Sequence, residues 1–195
     1  MRRFFFIIFF YYICNMKTNR TTPNWLSYMM WSIVADHVRE LTIIDIKILE
    51  PSAGEGGLLK PSWESEWLFN NADITCVELN KEKCEILKQH EKQLNVIHAD
   101  FLNYNFTDKY DVIIAAPPFN NNVDVDHIQK MFSLLNPNGI IVSLTTPYWM
   151  TNNESHQVEF RKWLDGEYHS FKMLPDMTFI EKSKTVPTGI LIIKK

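Results

Sequence analysis

Three carboxylates and a doubled proline carry the chemistry legible in this chain. Glu50 follows the apolar pair Ile48-Leu49 and opens the turn Glu50-Pro51-Ser52-Ala53-Gly54-Glu55-Gly56-Gly57. Glu78 lies in Val77-Glu78-Leu79, 24 residues after Gly54. Asp100 closes His98-Ala99-Asp100 and precedes Phe101, and a fourth apolar run ends in Ala115-Ala116-Pro117-Pro118-Phe119. An acid in the place of Glu78 can accept from both hydroxyls of a ribose, at the spacing nucleotide folds use. One in the place of Asp100 can accept from a purine amino group, with Phe101 against the ring. Two prolines fix the backbone and remove two N–H donors. Their carbonyls stay free to accept from a substrate, and Phe119 can stack on a flat one. Each feature has a plainer reading: solvated loop acids, a stiff strand exit, a core phenylalanine. Three acids at successive strand ends beside a glycine turn favour a nucleotide-like ligand.

The turn narrows the ligand type. A dinucleotide fingerprint has three glycines, G-x-G-x-x-G. Gly54 and Gly56 fill the first two places, but the third is Leu59. Glu50 would repel a pyrophosphate and favour a cation. S-adenosylmethionine, with a sulfonium and an ammonium group, fits better than NAD. An ordinary glycine-rich strand-to-helix turn is the bland alternative.

The elements that must hold these residues alternate. Strands are expected at Ile43–Leu49, Ile74–Val77, Val96–Ile97, Tyr110–Ala115 and Ile140–Thr145. Helices are expected at Leu58–Phe69 with a break or restart at Pro61, at Lys81–Leu94 with Asn80 as N-cap, at Val125–Leu135 and at Glu154–Leu164. Asn136-Pro137-Asn138-Gly139 reads as the turn that ends the third of these helices. Tyr168–Leu174 and Gly189–Ile193 close the chain as paired strands. Alternation of this kind predicts an α/β fold, with a largely parallel sheet covered on both faces. Ligands in such sheets bind beyond the carboxyl ends of the strands, near the topological switch point.

A chain of 195 residues with 46% apolar and 22% charged residues fits one globular domain. The net charge of −3 gives no strong nucleic-acid footprint. Cys14, Cys76 and Cys84 form no C-x-x-C pair, which suits free thiols in a reducing compartment. No His/Cys cluster has zinc spacing, so no metal is expected. Residues 1–15 stand apart, with Arg2 and Arg3 before an apolar run from Phe4 to Ile13. That run is shorter than the roughly 20 residues a membrane helix needs. It resembles a signal-peptide core without a cleavage site. The expectation is an extension upstream of a start at Met16, with an anchor or signal as the alternative. Residues 16–195 then form a single cytoplasmic domain with no membrane segment.

Thr22-Pro23 with Trp25-Leu26, the turn from Glu50 to Gly56, Glu78, Asp100-Phe101 and Pro117-Pro118-Phe119 occur in an order that resembles the class I S-adenosylmethionine-dependent methyltransferases. Within them the chain is similar to the adenine amino-methyltransferases of DNA and RNA. Asp124-Val125-Asp126-His127 and Asn136-Pro137-Asn138-Gly139-Ile140 look like short phage or mobile-element members. The resemblance implies a three-layer, Rossmann-like fold, with a mostly parallel seven-stranded sheet and a C-terminal antiparallel hairpin. It implies S-adenosylmethionine held by Thr22, Pro23, Glu50, Pro51, Ala53, Gly54, Gly56, Glu78, Leu79, Asp100 and Phe101. It also implies a catalytic loop at Ala116, Pro117, Pro118 and Phe119. That loop departs from the family, which has Asn, Asp or Ser where this chain has Ala116. The polar side chain accepts from the target amino group, so its loss implies weakened transfer or altered substrate. Asn120, Asn121 or Asn122 could substitute if the loop shifts.

The implied activity is methylation of an amino nitrogen, adenine N6 in DNA or RNA. Recognition would come from a partner protein, or the substrate would be small or single-stranded. A protein-glutamine methyltransferase and a non-catalytic binding module remain alternatives. An NAD-linked oxidoreductase is disfavoured by Leu59 and Glu50. His127 and Trp149 stay open, as substrate contacts or as structural residues.

Overall fold

A computed structural model describes residues 22–41, 45–64, 72–90, 94–119, 123–176, 178–181 and 184–195. The expected N-terminal extension, Cys14 and Asn120–Asn122 lie outside these residues.

The first element is helix α1 (Asn24–Val38). Leu26, Met30, Val34 and Val38 recur every fourth residue and are buried along one stripe. Strand β1 (Lys47–Glu50) and the short helix α2 (Lys60–Glu64) follow. Next come β2 (Asp73–Glu78), α3 (Lys81–Lys88), β3 (Asn95–His98) and β4 (Tyr110–Ala115). Helix α4 (Val123–Ser133) leads into β5 (Leu135–Thr145). Helices α5 (Tyr148–Thr151) and α6 (Ser155–Leu164) then precede β6 (Tyr168–Met173). A small ribbon of β7 (Ile180–Glu181) and β8 (Lys184–Thr185) comes before β9 (Gly189–Lys194).

Seven strands form one sheet in the order β3-β2-β1-β4-β5-β9-β6. The strands from β3 to β5 are parallel, and β9 runs antiparallel between β5 and β6. This is the expected mostly parallel sheet with its C-terminal hairpin. The chain reverses its direction of growth between β1 and β4, which opens a crevice at the tips of those strands.

Side chains alternate across the central strands, so each face has its own core. Ile48, Val112, Ile114, Ile140 and Val142 pack with the α1 stripe and Leu87 of α3. Leu49, Ile113, Ala115 and Ile141 pack with Val125, Ile128 and Met131 of α4 and Phe160 and Leu164 of α6. Burial on both faces explains why β4 and the end of β5 read as unbroken apolar runs.

Several boundaries differ from the sequence expectation. Strand β1 begins at Lys47, three places before Glu50, and residues 42–44 lie outside the description. Helix α3 stops at Lys88, because the positions three and four beyond Leu87 are His90 and Glu91, which offer the core nothing apolar. Helix α4 runs from Val123 to Ser133 rather than to Leu135. Leu135 instead pairs with Tyr110, and Ile140 with Val112, so Asn136–Gly139 bulge out within β5. Asn138 there adopts φ 63°, and Asn136 Nδ2 donates to Asp111 Oδ1 at 2.8 Å.

Gly189 marks the closest approach between strands β9 and β6. A Cβ there would overlap the Phe171 ring and lie 2.8 Å from the Lys172 carbonyl oxygen. Gly189→Ala is therefore expected to cost about 1–3 kcal/mol, from overpacking. Urea denaturation would show it as a lower midpoint with an unchanged slope.

Candidate functional site

The tips of β1, β2, β3 and β4 open on one cleft of about 900 Å³. Of the residues expected to bind, Thr22, Glu50, Pro51, Ala53, Gly54, Glu78, Leu79, Asp100 and Phe101 line it. Ala116, Pro117, Pro118 and Phe119 line it too. Pro23 and Gly56 do not: Pro23 precedes α1 as its N-cap, and Gly56 sits in the turn at φ 86°.

The glycine turn is held from three sides. Ala53 N donates to Val77 O at 2.9 Å. Gly54, at φ 58°, turns its N–H onto Glu78 Oε2 at 2.8 Å. That φ is left-handed, and no heavy atom lies within 4 Å of where a Cβ would be, so backbone strain rather than crowding calls for glycine. From the third side, Trp31 Nε1 donates to Leu58 O at 2.7 Å, and Ser27 Oγ to Gly57 O at 3.4 Å. Helix α1 is thus clipped to the turn, which places Thr22 and Asn24 on the cleft wall.

Glu50 is wholly buried. Oε1 accepts from Ser52 N at 3.1 Å, while Oε2 has no hydrogen-bond partner among the described residues. Burial, helped by the nearby Glu78 charge and opposed by the Ser52 N–H, pushes its pKa from 4.5 up to about 8. An under-satisfied buried carboxylate at a cleft is a group shaped for an incoming donor or cation. Glu78 is differently placed: Oε2 holds Gly54 and Oε1 accepts from Asn80 N at 2.7 Å. Asp100 is exposed, and it organises its own turn through Leu102 N (2.9 Å) and Asn103 Nδ2 (2.7 Å). Carboxylate oxygens have further lone pairs, so both acids can still accept from a ligand.

Phe101 is buried against Phe106, at 5.5 Å between centroids, and against His127, at 5.1 Å. Lys130 Nζ ties this loop to α4 through Leu102 O (2.9 Å) and Tyr104 O (2.7 Å). The start of α4 is anchored by Asp124, whose Oδ2 accepts from Thr145 Oγ1, Thr146 N and Thr146 Oγ1 at 2.8–3.1 Å. These bonds fix the start of α4 relative to the end of β5.

The other wall of the cleft was not legible in the sequence. The connection from β6 to β9 carries the β7–β8 ribbon and brings Phe179 and Val186 to the cleft. Phe179 meets Phe119 edge to face at 5.6 Å. Lys83, Glu55 and His127 also line the cleft. Trp149 does not; it is buried with Phe160 and Phe171 in the core. Cys76 and Cys84 are buried, and burial raises both thiols above their ordinary pKa, as suits packing residues.

No protein-family model matches the chain. A stretch of 72 residues, 37% of the chain, is 29% identical to the type II methyltransferase M.CvrRI of Paramecium bursaria Chlorella virus XZ-6E. That stretch is 18% of the viral protein. Among solved structures, the type I restriction-modification methyltransferase subunit of Streptococcus thermophilus superposes at TM-score 0.74 with 17% identity, over 90% of this chain and 44% of that one. A Listeria monocytogenes protein assigned to the class I S-adenosylmethionine-dependent methyltransferases superposes at 0.71 with 16% identity, over 93% and 62%. The plantazolicin methyltransferase BpumL, in complex with a desmethylPZN analogue and SAH, gives 0.63 with 14% identity, over 91% and 87%.

The chain has the class I S-adenosylmethionine-dependent methyltransferase fold.

It spans less than two thirds of the length of the viral, streptococcal and listerial proteins. The shared fold thus covers part of the streptococcal and listerial proteins. Among the described residues, no helix is long and apolar enough to cross a membrane.

Proposed function

We propose that this protein is an S-adenosylmethionine-dependent methyltransferase acting on an amino nitrogen, adenine N6 in DNA or RNA, with its rate lowered by Ala116. The observation that carries the reading is Glu50 Oε2, a buried carboxylate oxygen at the edge of the cleft with no partner among the described residues. A positively charged ligand would satisfy it, as a pyrophosphate would not. Glu50 would face the ammonium and sulfonium end of the cofactor. Glu78 would accept from the ribose hydroxyls, and Asp100 from the adenine amino group. Thr22, Pro51, Ala53, Gly54 and Leu79 would shape the walls, with Pro23 and Gly56 supporting them from behind. When bound, the cofactor supplies a methyl group activated by its sulfonium.

The chain's own contribution to transfer is positioning. The Pro117 carbonyl accepts from the target amino group, Phe119 and Phe179 offer aromatic surface to a flat base, and Ala116 offers no acceptor. Adenine inside a duplex must be unstacked to reach such a cleft, so single-stranded nucleic acid is the simpler substrate for this domain. A partner protein would supply recognition of a target sequence. The Pro-Pro-aromatic loop also suits a protein glutamine amide.

Ala116 favours one other reading, a domain that binds the cofactor and transfers nothing. Incubation with methyl-labelled S-adenosylmethionine and separate DNA, RNA and protein pools distinguishes the readings. The proposal expects slow incorporation into a nucleic-acid pool, as N6-methyladenine. Tight cofactor binding with no label in any pool, from the native chain or from Ala116→Asn, would establish the binding module.

A further inference from the structure

His127 is a buried histidine on the cleft wall whose role no part of the proposed chemistry uses. It lies on the first turns of α4, and its Nδ1 is 2.9 Å from Val123 O. A carbonyl can only accept, so Nδ1 carries the proton, and in the neutral ring Nε2 presents a lone pair. No described residue hydrogen-bonds to Nε2. The ring lies over Phe101 at 5.1 Å, with 30° between the planes. Phe101 directly follows Asp100, so the histidine belongs to the β3 tip of the cleft, away from the glycine turn. Burial holds its pKa below the ordinary 6.5, against the raising effects of the Val123 carbonyl and of Asp100, Asp126 and Asp124. The ring therefore stays neutral near pH 7.

Asp100, by contrast, is exposed and already accepts from Leu102 N and Asn103 Nδ2. A water-exposed carboxylate discriminates weakly between purines. A buried neutral acceptor discriminates strongly, because a mismatched group leaves its lone pair unsatisfied. The geometry points to His127 Nε2 as a second acceptor for the exocyclic amino group of the adenosyl ligand, making His127 a specificity residue for adenine over hypoxanthine in the cofactor pocket. This rests on the cofactor reading above.

The test compares calorimetric titrations with S-adenosylhomocysteine and S-inosylhomocysteine, in which a carbonyl oxygen replaces the amino group. The native chain is expected to prefer the adenosyl ligand. His127→Phe keeps a ring on Phe101 but removes the acceptor, and should lower that preference about tenfold, with the affinity for the inosyl ligand maintained or improved. His127→Gln retains an acceptor oxygen and should keep most of the preference. It also carries the test if the phenylalanine variant does not fold. Equal weakening of both ligands in His127→Phe, or an unchanged preference, would overturn the assignment while leaving the cofactor reading intact. Failure of the native chain to bind either ligand would overturn both.

Discussion

Glu50→Gln is expected to make the ligand-free protein more stable and the cofactor complex weaker. Glu50 is wholly buried and its folded-state pKa is about 8, against an ordinary 4.5. Between those values the native chain keeps a proton that the unfolded chain has released. Stability contributed by this group therefore falls as pH rises from about 4.5 to about 8. Above that range Glu50 is ionised in both states and the penalty is complete. Glutamine has the same shape and no charge to bury, so at pH 8.5 the variant should unfold on the order of 5 °C higher than the parent. The ligand sees the opposite effect. A cation pairs with ionised Glu50, so affinity for S-adenosylmethionine should rise with pH toward about 8, where the ligand's own ammonium begins to lose its proton and opposes the gain, with proton release on binding below that point. Removing the charge should weaken binding about 100-fold at pH 8.5. Differential scanning fluorimetry and calorimetry in two buffers of different ionisation enthalpy would measure both halves. A variant that is destabilised, or that binds as tightly as the parent, would show that Glu50 does not face the ligand's positive end.

Ala116→Asn is expected to raise the transfer rate about 100-fold at saturating cofactor, with little change in cofactor affinity. The effect resembles restoring one lost transition-state hydrogen bond, which is worth a factor of about 100–1,000. Ala116 is half-buried at the end of β4, beside Pro117 and facing the same cleft as Phe119. An asparagine there would present a carbonyl oxygen to the amino group, alongside the Pro117 carbonyl. Two acceptors localise the nitrogen lone pair better than one, so the gain belongs in kcat rather than in cofactor Kd. Single-turnover transfer to a single-stranded, adenine-containing oligonucleotide would read it directly. A fall in rate would mean that the alanine is adapted to a different acceptor.

The sheet and the tips of its first four strands were legible because the pattern there is local. Each central strand is buried on both faces and reads as an apolar run, and each run ends where a carboxylate or a proline interrupts the apolar pattern. Glu50, Glu78, Asp100 and Pro117 mark four such endings, and all four border the cleft. Helix α1 lies outside the elements the sequence predicts although Leu26, Met30, Val34 and Val38 repeat every fourth residue, because Trp25, Met29 and Ile33 add apolar residues beside that stripe and blunt its period. The bulge in β5 has the local signature of a turn. Asn136-Pro137-Asn138-Gly139 has turn chemistry, and distant bonds to Asp111 and Lys195 make it part of a strand. Phe179 had no local signal at all. Its place beside Phe119 depends on β9 entering between β5 and β6, a contact across about 60 residues of sequence. The isolation of Glu50 Oε2 was equally hidden. The sequence shows a carboxylate at a strand end, but whether water reaches it depends on the packing of the whole turn.

Side-by-side calorimetric titration of the native chain with S-adenosylmethionine and with NAD at pH 8.5 tests the central claim most directly. Carboxylates gathered around a cationic adenosyl ligand predict saturable one-to-one binding of the first and none of the second. Binding of NAD, or of neither ligand, would contradict it.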